Sequence, residues 1–443
     1  MHSNKFQPAR VLAVSFIAAI LLGSFLLWLP FSTISGRLSP VDALFTAASA
    51  VCVTGLTVLD TGSVFSPAGQ AIILALIQLG GLGIMTFSTL ILLVAGRKIS
   101  ITDRIAVQGG FAPAAAKDFR SLIKAIFLYT MAIELAGSIL LYLRFSKTFS
   151  SGRAAVLSVF HSISAFCNAG FCLFPDSLAS YRQDALLNTT VILLIIFGGF
   201  GFFVLRELVG VVIGLAKHRK RLLSLHSKVV LFTSLFLTAF PFVFFLLMEG
   251  SRTLRGFSLK EKILASLFQV VTPRTAGFNT LDMSALGPAT VFLLMFLMFI
   301  GASPGSTGGG VKTSTIGVVF AFLRAKIRAR NTAGIFHRTI SMDTVIGSFA
   351  AVSLALAVVF LSSFLLVLAQ PALSMKDAGF EALSAFGTVG LSMGITPGLS
   401  PAGRIVLIFT MYIGRIGPLV LLAAFGRNRP KGNYEYVEES VMI

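Results

Sequence analysis

The sequence predicts an all-α integral membrane protein, with eight transmembrane helices grouped as four repeats of helix, short re-entrant helix and helix about one pseudo-fourfold axis. Three observations predict it. Hydrophobic residues make up 56% of the 443 residues and charged ones 12%, with a mean hydropathy of +0.90, whereas soluble domains carry about 25% charged residues. Eight apolar stretches are each long enough to cross a bilayer. Four other stretches share one spacing: Phe45-Thr-Ala-Ala-Ser-Ala-Val-Cys-Val-Thr-Gly55, Phe160-His-Ser-Ile-Ser-Ala-Phe-Cys-Asn-Ala-Gly170, Leu267-Phe-Gln-Val-Val-Thr-Pro-Arg-Thr-Ala-Gly277 and Phe380-Glu-Ala-Leu-Ser-Ala-Phe-Gly-Thr-Val-Gly390.

In each stretch a bulky apolar residue stands ten places before the glycine, and Ser-Ala stands six and five places before it in three of the four. The intervals between the successive glycines Gly55, Gly170, Gly277 and Gly390 are 115, 107 and 113 residues, too long for a solenoid and suited to a pair of membrane helices with a short element between them. The repeats are therefore 1–100, 101–225, 226–325 and 326–443.

The spans run approximately over 10–30, 69–95, 121–143, 186–213, 228–248, 288–323, 341–369 and 402–425, each near or above the roughly 20 residues that a crossing requires. The first follows Lys5 and Arg10 but has no small-x-small cleavage site after it, so it reads as a retained helix and not a signal peptide. Residues 41–50, 154–165, 261–271 and 378–386 are too short to span and run directly into their glycines, which predicts re-entrant helices. The second spans share a glycine cluster beginning 24 to 28 residues after the glycine: Gly80-Gly81-Leu82-Gly83, Gly198-Gly199-Phe200-Gly201, Gly301-Ala302-Ser303-Pro304-Gly305 and Gly414-Arg415-Ile416-Gly417. In the third repeat it extends to Gly308-Gly309-Gly310. At roughly 1 kcal/mol per glycine, plus a proline, that span is expected to break, and 301–313 to form an intramembrane loop.

Lys and Arg outside the spans number 22 on the side of both termini and twelve on the other, which places both termini in the cytoplasm and the glycine loops towards the outer half of the membrane. The net charge of +19 is thus topological, and nucleic-acid binding is excluded because no basic face is formed. Cys52, Cys167 and Cys172 have neither CxxC nor zinc spacing and read as small apolar residues.

Non-helical backbone at membrane depth is tolerated only inside protein or along a water-filled cavity, so four such loops belong round one axis. Glycine lets successive carbonyls point inward, and the negative ends of the short helices aim at the same centre. The linings, Val53-Thr54-Gly55, Asn168-Ala169-Gly170, Thr275-Ala276-Gly277 and Thr388-Val389-Gly390, would form a cation filter of the potassium type, built on backbone oxygens with no ring of Asp or Glu. Asp60 and Asp282 read equally as an acidic outer mouth or as turn residues.

The four loops, the run Gly301-Ala-Ser-Pro-Gly-Ser-Thr-Gly-Gly-Gly-Val-Lys-Thr313 and Tyr412-Ile-Gly-Arg415-Ile-Gly-Pro418 resemble the Trk/Ktr/HKT superfamily of potassium transporters over nearly the whole chain. Eight spans, without an extra N-terminal pair, are most similar to the membrane subunit of bacterial Ktr systems. The resemblance implies a multi-pass protein of the bacterial cytoplasmic membrane, a homodimer surrounded by membrane lipids, and a cytosolic ring of nucleotide-binding regulatory subunits. It implies potassium as substrate, with sodium as co-ion, activator or alternative cargo, and no cofactor bound by this chain. Keeping all four glycines goes with potassium preference in that superfamily. The third repeat departs from the pattern, with Val271-Thr272-Pro273 in place of Ser-Ala. The resemblance also implies that the tail 434–443 joins the dimer interface; read alone, it is equally an unstructured terminus.

The gate expected from this reading is the loop Gly305, Ser306, Thr307, Gly308, Gly309 and Gly310 with Lys312 and Arg415. A charge at mid-membrane costs at least about 3 kcal/mol and marks function, so Arg415 would repel cations in the pore, bond the loop carbonyls, or pair with Glu134. Lys312 would anchor the loop or snorkel to the interface. The run 305–313 also resembles a phosphate-binding loop of an ATP-using enzyme, but Val311 interrupts it and no strand precedes it. No enzyme constellation appears elsewhere in the sequence.

Overall fold

The structure is a computed structural model that describes residues 8–83, 119–218, 222–330 and 332–425. The first repeat holds α1 (Pro8–Trp28), α2 (Pro40–Val51), α3 (Thr61–Val64) and α4 (Pro67–Leu82). The second holds α5 (Phe119–Phe145), α6 (Ser151–Phe166), α7 (Ala185–Phe200) and α8 (Phe202–Ala216). The third holds α9 (Leu225–Glu249), α10 (Leu259–Val271), α11 (Pro288–Phe299) and α12 (Thr313–Ile327), and the fourth α13 (Met342–Ala369), α14 (Met375–Gly387), α15 (Pro401–Ile416) and α16 (Pro418–Phe425). Residues 84–95 of the second expected span, the following linker to 118, Lys5 and the tail 434–443 lie outside the described residues.

The start signals are local. Proline opens α2, α4, α11 and α15, where its missing N–H is no loss. Ser66 and Ser400 cap α4 and α15 by accepting the Gly69 and Gly403 amides, both at 3.2 Å. Asp184 does the same for α7 through Leu187 N at 3.0 Å. Ser258 and Glu261 form a reciprocal capping box on α10.

Four described helices, α1, α5, α9 and α13, are long and apolar enough to cross a membrane. They turn large apolar side chains outward, among them Leu22, Phe25, Leu128, Leu235, Phe236, Phe360 and Phe364, the surface that hydrocarbon wants. The short helices α2, α6, α10 and α14 are inside, against the first helix of their own repeat. Arg404 of the fourth repeat pairs with Asp42 of the first, joining the first and last repeats.

Two expectations need correction. The stretches 186–213 and 402–425 are not continuous helices. The first is bent by 106° between α7 and α8, and the second breaks between α15 and α16. Gly83, Gly201 and Gly417 end α4, α7 and α15 with φ of 77°, 85° and 92°, angles closed to ordinary helix. The break expected only in the third repeat thus occurs in the second and fourth as well, and α4 of the first ends on the corresponding glycine. A two-residue antiparallel pair, Gly334–Ile335 with Arg338–Thr339, is the one exception to helix among the described elements.

Candidate functional site

Each re-entrant helix delivers its glycine through the same backbone. The residue two before the glycine is left-handed in all four loops, with φ of 56° at Val53, 59° at Asn168, 74° at Thr275 and 50° at Thr388. The glycines follow at 90°, 69°, 77° and 88°. Left-handed backbone is costly for β-branched residues, so three of these four positions hold a conformation that the sequence disfavours. Side-chain bonds hold it. Ser49 and Ser384 accept the amides of Gly55 and Gly390 at 3.0 and 3.1 Å, and Ser164 donates to Phe171 O at 2.7 Å. These serines are those of the Ser-Ala motif. In the third repeat Thr272, one residue later, donates to Phe278 O instead, which accounts for that repeat's departure from the pattern.

The four loops close a ring in chain order. A Cβ placed on Gly55 would lie 2.4 Å from Ala169 O, on Gly170 2.9 Å from Ala276 O, on Gly277 2.6 Å from Val389 O, and on Gly390 2.2 Å from Thr54 O. Each glycine thus abuts the backbone of the next repeat, and the fourth returns to the first. Asn168 and Thr275 side chains meet at 3.2 Å across adjacent loops.

Residues 300–312, between α11 and α12, lie against this ring. Gly309 N donates to Thr388 Oγ1 at 2.9 Å, and a Cβ on Gly308 would meet Thr275 Oγ1 at 2.1 Å. Thr307 N donates to Gly198 O at 3.2 Å and Ser303 N to Gly199 O at 3.1 Å, while Phe202 N returns a bond to Gly305 O at 3.0 Å. Thr307 Oγ1 reaches Phe166 O at 3.2 Å, and Gly310 N reaches Gly414 O at 3.4 Å. The broken ends of the second and fourth repeats supply Gly198, Gly199 and Gly414 as acceptors, and the re-entrant segments of the same repeats supply Phe166 and Thr388. With the amides of Thr307, Gly309 and Gly310 engaged by protein, the run offers no free nest for phosphate.

Arg415 donates to Thr307 O in the loop and to Gly80 O at the end of α4, so it joins three repeats. Glu134 is not its partner. That carboxylate receives Gln78 Nε2 at 3.1 and 3.2 Å and lies beside Cys167. Lys312 Nζ donates to Gly308 O at 2.8 Å. Asp60 and Asp282 accept from Ser63 and Ser284 as caps of short turns, the turn role of the two considered. The three cysteines are free.

Sequence reasoning missed Gly80, Gly198 and Gly414 as packing residues. A Cβ on them would lie 2.0, 1.9 and 1.9 Å from Val51 O, Phe166 O and Phe386 O, the carbonyls four residues before their own repeat's loop glycine. The signal was present in the aligned clusters. It also missed Gln78 and the hydroxyls of Thr275 and Thr388 as contacts of the loop or its neighbours.

The family described as TrkH, cation transport protein, matches residues 3–436. The Ktr system potassium uptake protein B of Bacillus subtilis is 40% identical over 99% of this chain and 97% of its own length. The potassium/sodium uptake protein NtpJ of Enterococcus hirae is 38% identical over 99% and 98%. The crystal structure of the potassium transporter TrkH from Vibrio parahaemolyticus superposes with a TM-score of 0.75 at 20% identity, covering 96% of this chain and 86% of that one, a likeness of fold.

Proposed function

The chain belongs to the TrkH family of cation transport proteins, and from that membership and the geometry of the loops we propose that it takes potassium up across the bacterial cytoplasmic membrane through a channel-like pore. The observation that carries the reading is the closed ring of four glycine loops, each with left-handed backbone at the glycine and two residues before it. Alternating left-handed and ordinary angles turn successive carbonyls to one side, so that Val53-Thr54-Gly55, Asn168-Ala169-Gly170, Thr275-Ala276-Gly277 and Thr388-Val389-Gly390 would replace a potassium ion's hydration shell with backbone oxygens. In this reading eight spans form four helix, pore-helix, helix repeats about that pore. The driving force is the membrane potential, about 2.3 kcal/mol per 100 mV for each ion entering.

The gate is the loop 305–310, pinned by Arg415 and Lys312. It moves aside when a cytosolic partner pulls on the adjacent helix ends. A relative named as protein B of a Ktr system supports a companion component, here a nucleotide-binding regulatory ring on a homodimer embedded in lipid, with both termini cytoplasmic. A relative named for potassium and sodium supports a second reading, in which sodium is a co-ion, activator or alternative cargo of the same pore.

The test is potassium-limited growth and tracer uptake in an uptake-deficient bacterium, with and without the regulatory subunit. Serine is placed in turn at Gly55, Gly170, Gly277 and Gly390. Each change is expected to weaken the preference for potassium over sodium, because its Cβ and hydroxyl enter the neighbouring loop's carbonyls. Unchanged selectivity in all four sinks the filter assignment.

A further inference from the structure

Nine residues before the loop glycines, the re-entrant helices carry Thr46, His161, Phe268 and Glu381. His161 and Glu381 are 1% and 0% exposed, and neither takes part in the ring or the gate described above. Both reach forward to the same place on the strand that leaves the loop. His161 Nε2 accepts the Leu173 amide at 3.3 Å and lies 3.2 Å from Cys172 Sγ, while Nδ1 lies 2.7 Å from Leu157 O. The bond to Leu157 O sets the tautomer, protonated at Nδ1 and accepting at Nε2. Cys172 and Leu173 stand two and three residues past Gly170.

Glu381 repeats the arrangement. Its carboxylate accepts the Ser392 hydroxyl, and the Thr396 hydroxyl at 3.1 Å. Ser392 stands two residues past Gly390, as Cys172 stands two past Gly170. Phe268 has no polar atom to offer, and among the described residues Thr46 makes no such bond.

The ring order sets the second and fourth repeats opposite each other, so the two tethers lie on one diagonal. The other two strands rest on the second. A Cβ on Gly62 would meet Leu173 O at 2.2 Å. Leu178 N donates to Asn279 O at 3.0 Å, and Asn279 N to Ser177 Oγ at 3.2 Å. Releasing the second strand would therefore loosen its neighbours in the first and third repeats.

We propose that His161 and Glu381 are positioning residues, which fix the outer end of the ring across one diagonal and thereby set its discrimination between potassium and sodium. The proposal rests on the filter reading. It is tested with full-length protein in proteoliposomes by measuring potassium, rubidium and sodium flux for His161→Phe, His161→Gln, Glu381→Leu, Glu381→Gln and Ser392→Ala.

Loss of a tether is expected to raise sodium flux relative to potassium about tenfold, the equivalent of one hydrogen bond to a buried group, and to raise the KM for potassium. The Gln variants, whose Oε1 accepts the same donors, are expected to recover most of the wild-type ratio. A merely structural role would lower maximal flux for every ion alike and leave the ratio unmoved. If Glu381→Leu does not accumulate, Ser392→Ala carries the test and must shift the ratio in the same direction. A potassium-selective wild type with unchanged ratios in the variants overturns this proposal alone. A wild type without potassium preference overturns the filter reading and this proposal with it.

Discussion

Arg415→Ala is the sharpest test of the gate. The guanidinium bonds two backbone carbonyls, Gly80 O at the end of α4 and Thr307 O in the loop. The first bond places the arginine and the second restrains the loop. Hydrogen bonds to charged groups contribute about 1.5–3 kcal/mol each, so the loop loses roughly 2 kcal/mol of restraint. At about 1.4 kcal/mol per tenfold, this shifts its equilibrium about thirtyfold towards the displaced position. The loop keeps its bonds to Gly198, Gly199, Thr388 and Gly414, so it is weakened and not dissolved. The assay is rubidium uptake into proteoliposomes holding the chain without its regulator. The initial rate is expected to rise severalfold to about thirtyfold, within that ceiling. Arg415→Lys, a single point charge that reaches one carbonyl, should fall between the two. An unchanged or lower rate for Arg415→Ala at equal protein amount refutes the argument that this contact holds the pore closed.

Thr388→Val keeps the shape of the side chain but leaves Gly309 N–H buried without its acceptor, a cost of about 1–3 kcal/mol to the seated loop. Uptake should rise as for Arg415→Ala, and failure to rise would separate the Thr388 contact from gating. Gly198→Ala forces a Cβ to 1.9 Å from Phe166 O and should abolish accumulation or lower the melting temperature of purified protein by many degrees. Gly347→Ala, with nothing within 4 Å, is the control and should be neutral to slightly stabilising, as alanine is about 1 kcal/mol better than glycine in a helix.

The sequence made the re-entrant helices legible to within three residues at each end, because an apolar run that is too short to span and ends on glycine has few other uses. It made the loop of the third repeat legible through its glycine and proline content. It did not disclose the breaks at Gly201 and Gly417, since hydropathy records that a stretch is apolar and not which way it points. Nor did it disclose the left-handed backbone at Val53, Thr275 and Thr388. Local preference argues against that conformation, and the bonds that enforce it come from serine or threonine on the preceding helix and from the neighbouring loops. The partner of Arg415 was undecidable for a related reason. Gly80, Thr307 and Glu134 lie in three different repeats, and only the closed ring brings two of them within reach of the guanidinium and leaves the third to Gln78.

The same closure explains why, in the proposed reading, a nearly fourfold ring carries a gate from one repeat. The second helices of the first, second and fourth repeats meet their re-entrant helices at equivalent glycines, Gly80, Gly198 and Gly414, and α4, α7 and α15 each end three residues later on a glycine. Among the described residues, the third repeat is the one that inserts enough chain, 300–312, to reach from its own helix end to the acceptors left by the others. Its contacts are therefore unequal by construction: amides to the second repeat, amides to the fourth, and the arginine of the fourth joining it to the first. Two of its glycines abut the hydroxyls of Thr275 and Thr388, which belong to the residues immediately inside the ring. Displacing the loop thus removes a partner from Thr388 at the left-handed position that shapes the fourth lining. An ion whose affinity for that lining changes with the Thr388 contact shifts the balance between seated and displaced loop, and by reciprocity the loop's position alters that ion's affinity by the same factor.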